Sequence, residues 1–203
     1  MTTSGARIAI VILAAGTARR FGALKQLQCI EGRSLVRRAA DAAIATGLPV
    51  HVVTGAEHEA VAAQLAEIAV GIAHNLEWTR GMGHSLAFGV RSVVTASPSP
   101  DAVLVMLADQ PMVSAEDLAE LVREHRAHPL AIVAADYGER LGPPCLFPAP
   151  HFEALMTLDG DQGARAVLHA NRAAVRALPM QHAAVDVDTP EDLARAAAAL
   201  QKP

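Results

Sequence analysis

The sequence is short of several features that would point to other classes of protein. It has only two cysteines, Cys29 and Cys145, with no Cys-x-x-Cys spacing and no small secreted framework around them. A disulfide scaffold is therefore excluded, and two unpaired thiols in a reducing, cytoplasmic setting are expected. Aromatic residues are few, with one Trp, one Tyr and four Phe, although 52% of the chain is apolar. Ala and Val carry much of that apolar content, which suits helices packed on a Val-rich sheet better than an all-β sandwich. The formal net charge of −4 lacks the positive footprint of a protein that holds nucleic acid or an anionic membrane nonspecifically. No stretch approaches the roughly 18 to 20 apolar residues of a transmembrane helix. Arg7 followed by the apolar run Ile8 to Ala15 looks like a short signal peptide. That run is at the lower length limit for one, and Arg19, Arg20 and Lys25 follow it directly. Missing as well are the G-K-[ST] of a Walker A loop, the G-x-G-x-x-G of a dinucleotide site, the H-E-x-x-H of a zinc hydrolase and the G-x-S-x-G of a serine hydrolase.

What is present is an alternation. Short apolar runs bounded by turn residues recur at Ile8 to Ala14, Val50 to Thr54, Val70 to Ala73, Ala102 to Ala108 and Leu130 to Ala134, and they predict buried parallel strands. Between them, helical spacing runs from Ser34 to Thr46, Glu57 to Glu67, Ser85 to Val94 and Ser114 to His128. Ser114 with Asp117, and Thr189 with Pro190 and Asp192, mark two helix starts. His125 and His128 fall near the carboxyl end of one predicted helix, where imidazoles complement the dipole. Further on, Pro143, Pro144, Pro148 and Pro150 break one stretch. A helix from Gly163 to Ala170 and apolar pieces at Val175 to Leu178 and Ala183 to Val187 then predict a mixed sheet. The whole reads as one α/β domain over residues 1–203, doubly wound and Rossmann-like, with a mostly parallel sheet flanked by helices.

The stretch Leu13-Ala-Ala-Gly-Thr-Ala-Arg-Arg-Phe-Gly-Ala-Leu-Lys25 follows the first predicted strand directly. In an open α/β sheet ligands sit beyond the carboxyl ends of the strands, so this loop is the natural ligand site. Ala14, Ala15 and Gly16 let backbone amides approach phosphate oxygens, and Arg20 and Lys25 add cations. Asp109 follows the strand at Ala102 to Ala108, and Asp188 is expected between a strand and the helix capped by Thr189. Both carboxylates could reach one sheet edge, a donor pair that suits Mg²⁺ together with substrate phosphates.

The pattern L-A-A-G-x-x-x-R-[MF]-G-x-x-K resembles the signature of the nucleotidyltransferases related to the molybdenum cofactor enzymes, the MobA-like NTP transferase family. The resemblance continues through Asn75-Leu-Glu-Trp-Thr-Arg-Gly-Met-Gly-His-Ser85, Ala108-Asp-Gln-Pro111, Leu158-Asp-Gly-Asp-Gln-Gly-Ala-Arg165 and Val187-Asp-Thr-Pro-Glu-Asp192. It implies a fold similar to that of the nucleotide-diphospho-sugar transferases. The Ala-Ala-Gly, Gly-Met-Gly-x-Ser and Ala-Asp-Gln-Pro forms look like the cytidylyltransferase branch, which favours CTP over GTP. By this resemblance Arg20, Lys25 and Asp109 are catalytic, and Asp109 and Asp188 hold Mg²⁺. The nucleotide lies against Leu13, Ala14, Ala15, Gly16, Arg20, Lys25, Thr54, Gly81, Gly83 and Ser85. The acceptor, a molybdenum-pterin cofactor, lies against Gln110, Pro111, Pro144, Asp161, Gly163 and Arg165. The nucleotide part is thus about residues 1–110 and the acceptor part about 111–203, with an apo-molybdoenzyme or its chaperone as a partner and no nucleic acid or membrane. Ala18 and His84 stand where relatives often carry serine, which touches substrate identity more than activity. A guanylyl- or sugar-phosphate nucleotidyltransferase and a noncatalytic cofactor carrier are the alternatives.

Overall fold

A computed structural model describes residues 6–16 and 24–201. In chain order the elements are β1 (Ile8–Ala14), β2 (Cys29–Ile30), β3 (Arg33–Ser34), α1 (Leu35–Ile44), β4 (Val50–Thr54), α2 (His58–Ala63), β5 (Gly71–His74) and α3 (Met82–Val94). They continue with β6 (Ala102–Leu107), α4 (Ala115–Ala127), β7 (Ile132–Asp136), β8 (Leu141–Pro148), α5 (Phe152–Met156), α6 (Ala164–Ala170), β9 (Val175–Pro179) and α7 (Pro190–Leu200). The main sheet has the order β5-β4-β1-β6-β8-β7-β9, and β2 and β3 form a small separate hairpin.

β1 shows why the sequence folds this way. Its seven residues are almost all buried, because the two faces of the strand feed two different cores. Ile8, Ile10 and Ile12 face one layer with Val36, Ala40 and Leu118 of α1 and α4. Ala9 and Val11 face the other layer with Leu86, Val90 and Val167 of α3 and α6. A strand covered on both sides must be apolar at every position, which is the continuous run seen in the sequence. The run that resembled a signal peptide is therefore the central strand of the sheet.

β1 pairs in parallel with β4 on one side and β6 on the other, and β4 in turn pairs in parallel with β5. The order reverses at β1, which opens a crevice beyond the carboxyl ends of β1 and β6. β8 runs antiparallel to both β6 and β7, and β9 runs parallel to β7, so the second half is mixed as expected.

Four expectations change in detail. β5 is a half-exposed edge strand, with Ile72 at 38% exposure, rather than a buried one. β7 starts two residues later than its apolar run because Leu130 points into solvent. Three of the four prolines lie inside β8 rather than breaking it. The β7–β8 register shifts beside Pro143 and Pro144, and the β6–β8 ladder starts only at Cys145, so these prolines sit where the ladder needs no N–H. Ala183 to Val187 forms no strand, because a 3-10 turn covers Gln181–Ala184.

Helix starts follow the capping signals. Ser114 and Thr189 each accept from the amide three residues on, and Asp117 and Asp192 reciprocate. His125 is enclosed in the core at 1% exposure, where burial lowers its pKa, so it does not serve as a surface complement to the dipole. Cys29 and Cys145 are both free thiols. No helix among the described residues is long and apolar enough to cross a membrane.

Candidate active site

Beyond the carboxyl ends of β1 and β6 the surface opens into a cleft with two compartments. One has a volume of about 480 Å³ and is lined by Leu13, Ala15, Gly16, Trp78, Gly81 and Ser85 among others. The second, of about 650 Å³, is lined by Pro143, Gln162, Gly163, Arg165, His169 and Asp186 among others. Lys25, Met82, Leu107, Asp109 and Asp161 border both, so the two compartments meet at the lysine and the aspartate.

Each of those central side chains is placed by a different element. The β1–β6 ladder pairs Leu13 with Leu107, and the amide of Ala108 bonds the carbonyl of Leu13 at 3.1 Å, which brings Asp109 out at the sheet edge. The carbonyl of Asp109 accepts from the amide of Val187 at 2.9 Å, which ties the segment carrying Asp188 to it. Val187 is fully buried with Ile30, Leu35 and Ala196, so the packing of α7 fixes Asp188 from below. Lys25 opens the 3-10 turn Lys25–Leu27, and the side chain of Gln26 donates to the carbonyl of Gly16.

The electrostatics concentrate here. Lys25 Nζ lies 2.8 Å from Asp188 Oδ1 and is also ion-paired with Asp109 Oδ2. Burial works against the ammonium, yet the two carboxylates outweigh it and raise its pKa above the ordinary value. Asp186, which accepts from Gln110 Nε2 at 3.1 Å, is pushed up to about 6 by burial and by repulsion from Asp109. Asp109 Oδ1 is enclosed and meets no donor among the described residues. Among the described residues no three His, Cys, Asp or Glu side chains gather there as a metal-binding set. Hard carboxylate oxygens with lone pairs to spare fit a magnesium ion that takes the rest of its coordination from water and substrate phosphates.

The structure gathers part of the expected site. Leu13, Ala15, Gly16, Gly81 and Ser85 line the smaller compartment, Gly163, Arg165 and Asp188 the larger one, and Lys25, Asp109 and Asp161 border both, with Lys25 paired to Asp188. Arg20 lies outside the described residues. Ala14 faces the first core. Thr54 is fully buried, its hydroxyl taken by His58 Nδ1 at 2.7 Å and by the carbonyl of Ala73, so it does not border the cleft. Gln110 is also buried, with its amide nitrogen against Tyr137, the carbonyl of Ala183 and Asp186. Pro111 borders a separate cavity of about 250 Å³, and Pro144 is enclosed within β8.

The resemblance places the nucleotide against Gly81 and Gly83. Their would-be Cβ directions point elsewhere: at Gly81, toward Gly160 backbone atoms at 2.4 Å, and at Gly83, toward the carbonyls of Asp159 and Gln162 at 2.7 Å. These glycines permit two loops to interlock. Beneath them Asn75 donates to Ser85 Oγ, and His84 lies against Asn75 and Glu77, so the residue that replaces the relatives' serine belongs to the support layer. Trp78, Met82, Leu107, His169 and Asp186 also border the cleft and went unassigned from sequence. Only Asp186, two residues before Asp188, carried a signal that could have found it.

An open α/β sheet whose switch-point crevice carries a lysine, facing carboxylates and two adjoining ligand-sized compartments defines a nucleotide-binding transferase. Comparison with known proteins agrees. The MobA-like NTP transferase domain matches residues 10–177. The chain is 33% identical over 197 residues to the nicotine blue oxidoreductase of Paenarthrobacter nicotinovorans, covering 91% of this chain and 94% of that one. It is 29% identical over 195 residues to the purine catabolism protein PucB of Bacillus subtilis (strain 168), covering 90% and 92%. Among solved structures, Rv0371c of Mycobacterium tuberculosis H37Rv superposes with a TM-score of 0.80 at 27% identity, over 97% of this chain and all 100% of that one. A complex of Rv0371c with manganese superposes with a TM-score of 0.77 at 26% identity, over 95% and 98%. The chain belongs to the MobA-like NTP transferase family.

Proposed function

We propose that the protein is a magnesium-dependent cytidylyltransferase that transfers CMP from CTP to a molybdenum-pterin cofactor and releases pyrophosphate. The observation that carries this reading is the junction of Lys25, Asp109 and Asp188 between two adjoining compartments. A transfer enzyme needs both substrates in line across one reacting phosphorus, and that arrangement needs two pockets with their charges at the shared wall.

In this reading CTP occupies the compartment of Leu13, Ala15, Gly81 and Ser85, and the acceptor that of Asp161, Gly163 and Arg165. A terminal phosphate oxygen of the acceptor attacks the α-phosphorus. The bond from the α-phosphorus to the bridging oxygen breaks, and pyrophosphate leaves with the electron pair. Little acid or base work is required, so positioning and charge neutralisation dominate. Asp109 and Asp188 would hold the magnesium ion, which when bound supplies charge neutralisation at the phosphates. Arg20 and Lys25 serve the triphosphate oxygens, and the backbone at Ala15 and Gly16, which lines the same compartment, would donate to them. The manganese complex of a relative supports a divalent cation for this class of site, and oxygen donors favour magnesium. A cytoplasmic setting and delivery of the product to an apo-molybdoenzyme or its chaperone belong to the same reading.

The test is pyrophosphate release from CTP and from GTP with the molybdenum-pterin acceptor, with and without magnesium, and with sugar phosphates as control acceptors. Magnesium-dependent release that is selective for CTP is expected. Selectivity for GTP or for a sugar phosphate assigns the protein to a sister activity, and cofactor binding without turnover identifies a carrier.

A further inference from the structure

The sequence assigns Lys25 to the triphosphate, yet in the structure its ammonium sits on the carboxylates. It lies 2.8 Å from Asp188 Oδ1 and is paired with Asp109 Oδ2 as well, with its own side chain only 16% exposed. We propose that Lys25 is an internal stand-in for the divalent cation: in the nucleotide-free protein its ammonium holds Asp109 and Asp188 together, and metal entry exchanges it out toward the phosphates.

Three observations support this. Two carboxylates that share one small space repel unless a cation lies between them, and among the described residues the cationic side chain paired with them is that of Lys25. One ammonium leaves that pair with a net negative charge, which a divalent ion would cancel. Asp109 Oδ1 also remains enclosed without a donor, so the pair is under-served by the lysine alone. Lys25 borders both compartments, so its released ammonium reaches phosphate groups by side-chain rotation. The backbone at Lys25 need not move, because the next residue, Gln26, is buried and bonded to Gly16. Metal and lysine thus compete for one place before nucleotide binds and cooperate after it, which makes metal binding weak until the substrate offers Lys25 another partner.

The inference rests on the metal-assisted reading above, and its test needs no acceptor and no turnover. Mn²⁺ binding to the nucleotide-free protein is measured by the electron paramagnetic resonance of the free ion. Lys25→Met should bind Mn²⁺ at least about tenfold more tightly than the parent, as removal of a competing ligand requires, whereas Lys25→Arg should stay close to the parent. Adding Asp188→Asn to Lys25→Met should abolish the gain. An affinity in Lys25→Met equal to or below that of the parent overturns the stand-in role. Magnesium dependence of CTP turnover by the parent then tells separately whether the metal-assisted reading still holds.

A second measurement avoids variants altogether. Lys25 and Lys202 are the only lysines in the sequence, so a ¹⁵N-lysine-labelled sample gives two side-chain signals. Magnesium raised until it displaces Mn²⁺ from the nucleotide-free protein should shift the Lys25 ammonium signal and leave that of Lys202 in place. An unmoved Lys25 signal also overturns the proposal.

Discussion

The amide of Gly83 donates to the carbonyl of Gly160 across 2.8 Å and locks the first turn of α3 to the loop before α6. A side chain at position 83 would push against the carbonyls of Asp159 and Gln162, which are backbone atoms and cannot yield cheaply. Gly83→Ala should therefore cost about 1–3 kcal/mol, the usual range for overpacking, while Gly16→Ala, whose added methyl meets nothing within 4 Å among the described residues, should stay within about 0.5 kcal/mol. Urea unfolding of the two variants checks the contrast.

Arg80 clasps the same loop from outside, with Nε 3.2 Å and Nη2 2.8 Å from the two carboxylate oxygens of Asp159. Both side chains are about half exposed, so their contribution to stability is small. Their effect should instead appear in the placement of Asp161. Arg80→Ala is expected to raise the acceptor KM by about threefold or more with kcat little changed, the pattern of lost uniform binding. Reversing both charges, Arg80→Asp with Asp159→Arg, should recover most of the loss in steady-state kinetics.

Asp109→Asn should abolish most turnover and leave the thermal unfolding cooperative, since the change is isosteric. Lys25→Ala should slow turnover by on the order of 10² or more, comparable to removal of one preorganised charge-stabilising group. Pyrophosphate release at saturating substrates measures both. Unchanged kcat in Asp109→Asn removes the metal assignment.

Ala15 borders the smaller compartment and packs in the core of the second layer. In the proposed reading a methyl at this position leaves less room for a purine, so the parent should prefer CTP to GTP by at least about tenfold in kcat/KM. Ala15→Gly should relax that preference toward GTP. Equal use of both nucleotides by the parent removes the cytidine assignment.

The capping box of α4 gives a pH-dependent signal. Burial works against the charge of Asp117, but bonds from the Ser114 amide and hydroxyl and from His182 prevail, and its pKa lies below the usual carboxylate value. A group with a depressed folded pKa stabilises the fold above its unfolded pKa of about 3.9 and loses that contribution as pH falls through the folded value. Ser114→Ala should cost about 1 kcal/mol at neutral pH. The stability gap between parent and Asp117→Ala, followed by urea unfolding, should narrow below about pH 4.

Local rules account for what the sequence alone determined. β1 and β4 fall on their apolar runs to the residue, because a strand buried on both faces is apolar at nearly every position, with His51 and Thr54 the polar exceptions in β4. The starts of α4 and α7 fall where Ser114 and Thr189 offer their hydroxyls, because capping is settled within four residues. Lys25, Asp109 and Asp188 were likewise legible, since each stands in a motif beside an element end.

Tertiary structure decided the rest, because it depends on which distant segments meet. β8 keeps Pro143 and Pro144 within a strand because β6 and β7 leave them unladdered at the bulge. Thr54 turns away from the cleft because His58 and Ala73 claim its hydroxyl. The Gly81 and Gly83 pair, which the resemblance places against the nucleotide, makes room for the Asp159–Gln162 backbone. The ammonium of Lys25 rests on two carboxylates 84 and 163 residues away along the chain. No local pattern encodes that pairing, since it exists only once β6 and α7 have carried Asp109 and Asp188 to the end of the first strand.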